Sequence, residues 1–113
     1  MNGKLDEVQN WSELAKEAKW SVVILAKYCG VSARTLERYF LKSIGITPKT
    51  WLNEERQVTA IKLRYAGNSV KETAYYLGYR QTSTFSREFT KFWGFPPIQA
   101  EAIPRSYTSL SVA

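Results

Sequence analysis

Apolar residues recur along this chain at three- and four-residue steps, and polar residues fill the gaps, so the pattern predicts helices. Trp11, Leu14, Ala15 and Ala18 follow the i, i+3, i+4, i+7 spacing of one helical stripe. Ser21 is placed to cap a second helix, with Ile24, Leu25 and Tyr28 as its expected buried face and Gly30 as its left-handed end. Ser32 opens a third, in which Leu36 and Phe40 point inward while Arg34, Glu37 and Arg38 lie on another side, and Gly45 closes it. The longest helix is expected over 48–66. Thr47 is its cap, and Pro48 holds the first helical position, where a missing N–H costs nothing. Trp51, Val58, Ile61 and Tyr65 form its stripe, and at 1.5 Å per residue it would reach about 27 Å. Ser69-Val70-Lys71-Glu72 reads as a capping box. In the helix it opens, Ala74, Leu77 and Tyr79 look inward and Gly78 makes the turn. A sixth helix is expected over 82–92, burying Phe85 and Phe89 and ended by Gly94, Pro96 and Pro97, and a short seventh over 97–102. The Ser/Thr-rich stretch 104–113 is expected to be disordered.

One pattern occurs twice. Ala26-x-x-x-Gly30 leads to Leu36, Arg38 and Phe40 and then Gly45-Ile46-Thr47-Pro48. Ala74-x-x-x-Gly78 leads to Phe85, Arg87 and Phe89 and then Gly94-Phe95-Pro96-Pro97. Each copy has the parts of a helix-turn-helix. The alanine lets the second helix cross close by, the glycine accepts positive φ in the turn, and an apolar residue locks the pair. An arginine recurs at the same place in each second helix, an arrangement suited to two adjacent stretches of one duplex. The expected fold class is therefore all-α: two helix-turn-helix subdomains, 1–47 and 67–103, joined by the 48–66 linker helix, with about seven helices in all.

Charge sharpens the picture. The chain of 113 residues carries a net +6. Residues 21–66 hold eight basic and three acidic side chains and residues 67–97 four and two, whereas residues 1–20 are slightly acidic. A positive field over the repeated units fits nucleic acid, and on charge alone it fits a solvated basic surface equally well. No histidine is present, no nucleophile–base pair or glycine-rich phosphate loop is evident, and nothing points to an enzyme, a metal site or a cofactor. Cys29 lies in an apolar run and reads as a small core residue; one cysteine precludes an internal disulfide and suits a reducing cytoplasm. No run has the length of a membrane span, and the opening residues do not read as a signal peptide. Trp20, Trp51 and Trp93 sit beside helix ends, where packing explains them better than base stacking.

The stretch from Gly67-Asn68-Ser69-Val70-Lys71-Glu72-Thr73-Ala74-Tyr75-Tyr76-Leu77-Gly78-Tyr79 through Phe85-Ser86-Arg87-Glu88-Phe89 to Gly94-Phe95-Pro96-Pro97 resembles the signature of the AraC/XylS DNA-binding domain of bacterial transcription regulators. The resemblance extends from Trp11 to Ala102. It implies two helix-turn-helix subdomains whose recognition helices enter successive major grooves one duplex turn apart. By matching positions, the first recognition helix would present Arg34, Glu37 and Arg38 to bases with Ala33 and Thr35 nearby, and the second Thr82, Ser83 and Arg87 with Thr84 beside them. Arginine offers a bidentate fork to guanine and Glu37 an acceptor for a cytosine amino group, while the short Thr82, Ser83 and Thr84 suit phosphate or a thymine methyl. The alternative role of Glu37 is an intrahelical pair with Arg34 at i+3, and Arg87 can equally serve structure or backbone contact. Lys27 and Lys91 are expected at phosphates. Gln81 departs from the pattern, because the family usually has Asp, Ser or Asn there to cap the second recognition helix.

The resemblance implies double-stranded DNA as partner, RNA polymerase as a further candidate, and a cytoplasmic place on the bacterial nucleoid. Oligomeric state stays open, since two reading heads on one chain are compatible with a monomer. About twenty residues precede the first unit, which fits either a stand-alone regulator or the C-terminal piece of a larger one. The competing function is a helical adaptor whose basic face meets an acidic protein.

Overall fold

The computed structural model describes residues 3–101; the expected tail at 104–113 and the last residue of the expected 97–102 helix lie outside the described residues. Among the described residues every regular element is helical. These are α1 (Gly3–Asp6), α2 (Trp11–Glu17), α3 (Val22–Cys29), α4 (Ala33–Ile44), α5 (Pro48–Tyr65), α6 (Val70–Tyr76), α7 (Thr82–Trp93) and a 3-10 turn at Pro97–Gln99.

Helix starts follow from side-chain capping of otherwise unpaired amides. Ser21 accepts from Ile24 N–H, Ser32 from Thr35 N–H and Thr47 from Thr50 N–H. Ser69 accepts from Glu72 N–H at 2.9 Å while the Glu72 carboxylate accepts from Ser69 N–H at 2.8 Å, the reciprocal capping box. That contact with the Ser69 amide holds the Glu72 carboxyl below its usual range. α7 starts without help, since Gln81 makes no side-chain cap bond. The turn glycines Gly30 (φ +70°) and Gly78 (φ +83°) occupy the left-handed region that L-residues adopt at a cost. At Gly30 a Cβ would also lie 3.0 Å from Lys4 Nζ.

The chain divides into two compact units, the first ending at Arg56 and the second beginning at Gln57, so the division falls within α5. The first unit centres on Leu25, Ala26, Cys29, Leu36, Phe40 and Leu52, with Leu5, Ala15 and Ala18 closing the core. Trp11, Phe40 and Trp51 meet edge to face, with ring centroids 5.2–6.2 Å apart. The second unit buries Ala60, Ala74, Leu77, Phe85, Phe89 and Ala100. Phe89 sits against Phe85, Trp93 and Phe95 at 5.7–6.2 Å.

Three expectations are corrected. On α3 the buried face is Leu25, Ala26 and Cys29, while Ile24 and Tyr28 stand 36% and 54% exposed. The small side chains at 26 and 29 admit α4 closely, and the bulky pair is turned outward. On α5 the buried positions are Pro48, Leu52, Gln57, Ala60 and Arg64, none of them in the apolar stripe that the sequence suggests, and Tyr65 is exposed. The expected seventh helix is a single 3-10 turn, and α1 was not expected at all. α1 is fixed by long-range contacts: Leu5 is fully buried, and Asp6 accepts from the Tyr39 hydroxyl at 2.8 Å. That bond favours the protonated hydroxyl and raises Tyr39 above the usual tyrosine range.

Candidate nucleic-acid interface

Each unit presents one twelve-residue amphipathic helix with a buried aromatic face and a polar outer face. On α4, Leu36 and Phe40 anchor the inner side, so Arg34 and Arg38, four residues apart, project together to solvent. Glu37 is also exposed. Thr35 is half-buried, and its Oγ1 accepts from the Ser32 hydroxyl at 3.0 Å, which ties it to the cap. Arg34 and Glu37 line a groove of about 290 Å³ with Val22, Ala33, Thr47, Pro48 and Lys49. They do not form the intrahelical ion pair expected as the alternative role for Glu37. Lys16–Glu13, at 3.6 Å, is a pair of that i, i+3 kind elsewhere in the unit.

On α7, Phe85 and Phe89 face inward, leaving Thr82, Ser83 and Arg87 exposed and Thr84 half-buried. Lys27 and Lys91 stand exposed in the last turns of α3 and α7, where a cation also compensates the helix dipole. The structure thus sets Arg34, Glu37 and Arg38 on one outer face of α4, and Thr82, Ser83 and Arg87 on the outer side of α7.

Two basic residues escaped the sequence reading. Lys49 enters the α4 groove because Thr47 and Pro48 start α5 beside it; the Thr-Pro signal in the sequence places residue 49 in that first turn. Arg80 is exposed in the turn that leads into α7. Cys29 is 8% exposed, and burial pushes its thiol up, which keeps it an unreactive core residue. Among the described residues no helix is long and apolar enough to cross a membrane.

Two helices, each ended by a left-handed glycine, anchored by buried aromatics and carrying outward arginines, define a helix-turn-helix protein, and comparison with known proteins agrees. A family model described as a helix-turn-helix domain matches residues 25–102. The HTH-type transcriptional activators RhaS of Salmonella arizonae and Salmonella paratyphi B are each 33% identical over 99 residues, covering 85% of this chain. The chain spans 35% of the length of these curated relatives. Among solved structures, the DNA-binding domain of AdpA, a global transcriptional factor in complex with a target DNA, matches with TM-score 0.67 and 25% identity, over 91% of this chain and 96% of that one. A transcriptional regulator of Chromobacterium violaceum, with AraC-type DNA-binding domain, shares the fold at TM-score 0.70 and 23% identity, over 88% and 93% of the two chains. The chain belongs to the AraC-type helix-turn-helix family of transcription regulators.

Proposed function

We propose that this protein is a sequence-specific double-stranded DNA-binding regulator of transcription that reads two major-groove segments with α4 and α7. The observation that carries this is the repeated geometry: a capped or glycine-ended helix, anchored by buried aromatics, with arginine on its outer face in each unit. On α4, Arg34 and Arg38 are proposed to offer guanidinium forks to guanine edges, and Glu37 an acceptor for a cytosine amino group. Thr35 would assist from the groove edge. On α7, Arg87 takes the same role as the α4 arginines, while Thr82, Ser83 and Thr84 supply short polar contacts to phosphate or a thymine methyl. Lys27 and Lys91 are proposed phosphate contacts, and Lys49 and Arg80 join them by position. The proposed domain plan is reading units at 1–47 and 67–103 on either side of a 48–66 linker, within which α5 is continuous from Pro48 to Tyr65. RNA polymerase is the proposed protein partner, and the bacterial nucleoid the proposed place of action.

The relative bound to its target DNA supports the reading, as do the twelve basic residues of 21–97 against five acidic ones. The test is titration of labelled duplex at a series of salt concentrations. Log affinity is expected to fall steeply and linearly with log salt, with a slope near 0.9 for each phosphate neutralised. Affinity indifferent to salt would overturn the proposal.

A further inference from the structure

Within the second unit, Gln57 on α5 is fully buried. Its Nε2 donates to the Tyr79 hydroxyl at 3.2 Å, and that hydroxyl donates to Glu88 Oε1 on α7 at 2.6 Å. The Gln57 main-chain carbonyl accepts from Trp93 Nε1, also on α7, at 3.3 Å. Two positions of α7, Glu88 and Trp93, are therefore tied to one residue of α5. Five residues separate them, about 7.5 Å along the helix axis. Two ties at that spacing oppose both rotation of α7 about its axis and tilting of its end, and add directional bonds to the packing of the buried Phe85 and Phe89 rings.

The arrangement carries a cost. Gln57 Oε1 is buried and accepts no hydrogen bond, a situation that an apolar side chain at position 57 would avoid. A buried amide kept at that cost is explained by what its other half does: it aims the Tyr79 hydroxyl at Glu88. Arg87 precedes Glu88 directly, so its direction follows any rotation of the helix at that point. Paired hydrogen bonds to a base tolerate only about 0.5 Å and 10–20° of error.

We infer that Gln57, Tyr79 and Glu88 form a positioning relay that sets the orientation of α7, and hence the base preference of Thr82, Ser83 and Arg87, without touching DNA. The inference rests on the DNA-binding reading above. The test compares Tyr79→Phe, which keeps the ring against Phe85 but removes both hydroxyl bonds, with the double variant Gln57→Leu/Tyr79→Phe, which also removes the unpaired amide, and with Glu88→Gln, which keeps an acceptor. Glu88→Ala serves in place of Tyr79→Phe if the latter does not fold. Each is measured three ways: urea midpoint, amide hydrogen exchange across 82–93, and base preference selected from random duplexes. Tyr79→Phe is expected to speed exchange in α7 and weaken discrimination by about tenfold at the bases that Arg87→Ala also affects, while bases sensitive to Arg38→Ala keep theirs. The double variant should recover the urea midpoint but neither the exchange protection nor the discrimination, and Glu88→Gln should retain both. Recovery of protection and discrimination together with stability in the double variant would overturn the relay, as would equal loss at both sets of bases. If the unaltered protein selects no bases, the DNA-binding reading falls. The relay is then judged on hydrogen exchange alone, which stands if α7 exchange stays fast in the stabilised double variant and falls if it does not.

Discussion

Arg64 on α5 donates from Nε to the main-chain carbonyl of Pro97 at 2.8 Å, and so joins the helix to the turn that closes the second unit. Its other nitrogens donate to the carbonyls of Asn68, at 2.6 Å, and Ile98, at 3.5 Å. A guanidinium only 7% exposed is thus satisfied by carbonyl dipoles. Arg64→Ala leaves those acceptors unpaired and opens a void, and is expected to destabilise the protein by about 2–4 kcal/mol. Arg64→Lys, with a point charge in place of a planar fork, should recover only part of this. Urea unfolding of both variants checks the order; a loss under about 1 kcal/mol for Arg64→Ala would show that the contacts are dispensable.

The start of α7 is open to improvement. Gln81 has the extended backbone of a capping residue, φ −128° and ψ 134°, yet its side chain makes no cap bond. Gln81→Ser should stabilise the protein by about 0.5–1 kcal/mol, whereas Ser69→Ala, which breaks the capping box of α6, should cost about 1 kcal/mol. Thermal unfolding of the two variants in parallel gives opposite signs if the caps act as described.

Glu72 supplies a pH dependence with a defined sign. Its folded-state carboxyl lies below the ordinary value because the charged form accepts from the Ser69 amide. The stability it contributes is present above the unfolded carboxylate value, about 4.3, and is lost as pH falls through the lower folded value. Glu72→Gln should therefore flatten the decline in stability below about pH 5 and leave its neutral-pH shape unchanged. Parallel curves for both proteins down to pH 3 would contradict the role.

Base readers and phosphate contacts should separate. Arg34→Ala is expected to weaken a selected duplex by about 1–3 kcal/mol and leave scrambled duplex unaffected. Lys27→Ala or Lys91→Ala should weaken both alike and reduce the salt slope by about one. Competition binding with the two duplexes distinguishes these outcomes, and equal losses for Arg34→Ala on both would remove it from base readout.

What could be read from the sequence follows from which forces are local. Ser21, Ser32, Thr47 and Ser69 cap helices as expected, because a cap bond spans three residues and carries its own signal. Gly30, Gly45 and Gly94 end helices in the left-handed conformation for the same reason. α1 has too few residues to show a period, and it exists through the burial of Leu5 and the Asp6–Tyr39 bond. Gln57 and Arg64 were missed because a polar residue on a helix reads as outward, and only distant partners make its burial tolerable. Ile24 and Tyr28 misled for the opposite reason: the core took the smaller Ala26 and Cys29 to admit α4. At the interface, the outward faces of Arg34, Arg38, Thr82, Ser83 and Arg87 were legible once Leu36, Phe40, Phe85 and Phe89 had fixed the inner sides. Lys49 was not, because its approach to α4 is set by the turn at Gly45–Thr47 and not by any pattern within one helix.

The most direct test of the central claim is selection from random duplexes by the unaltered protein, Arg38→Ala and Arg87→Ala in parallel. Two helices that each read their own groove predict two separate blocks of base preference in the unaltered protein. Arg38→Ala should flatten positions in one block and Arg87→Ala positions in the other, each by about 1–3 kcal/mol. A single block, no preference, or two variants that alter the same positions would contradict the account.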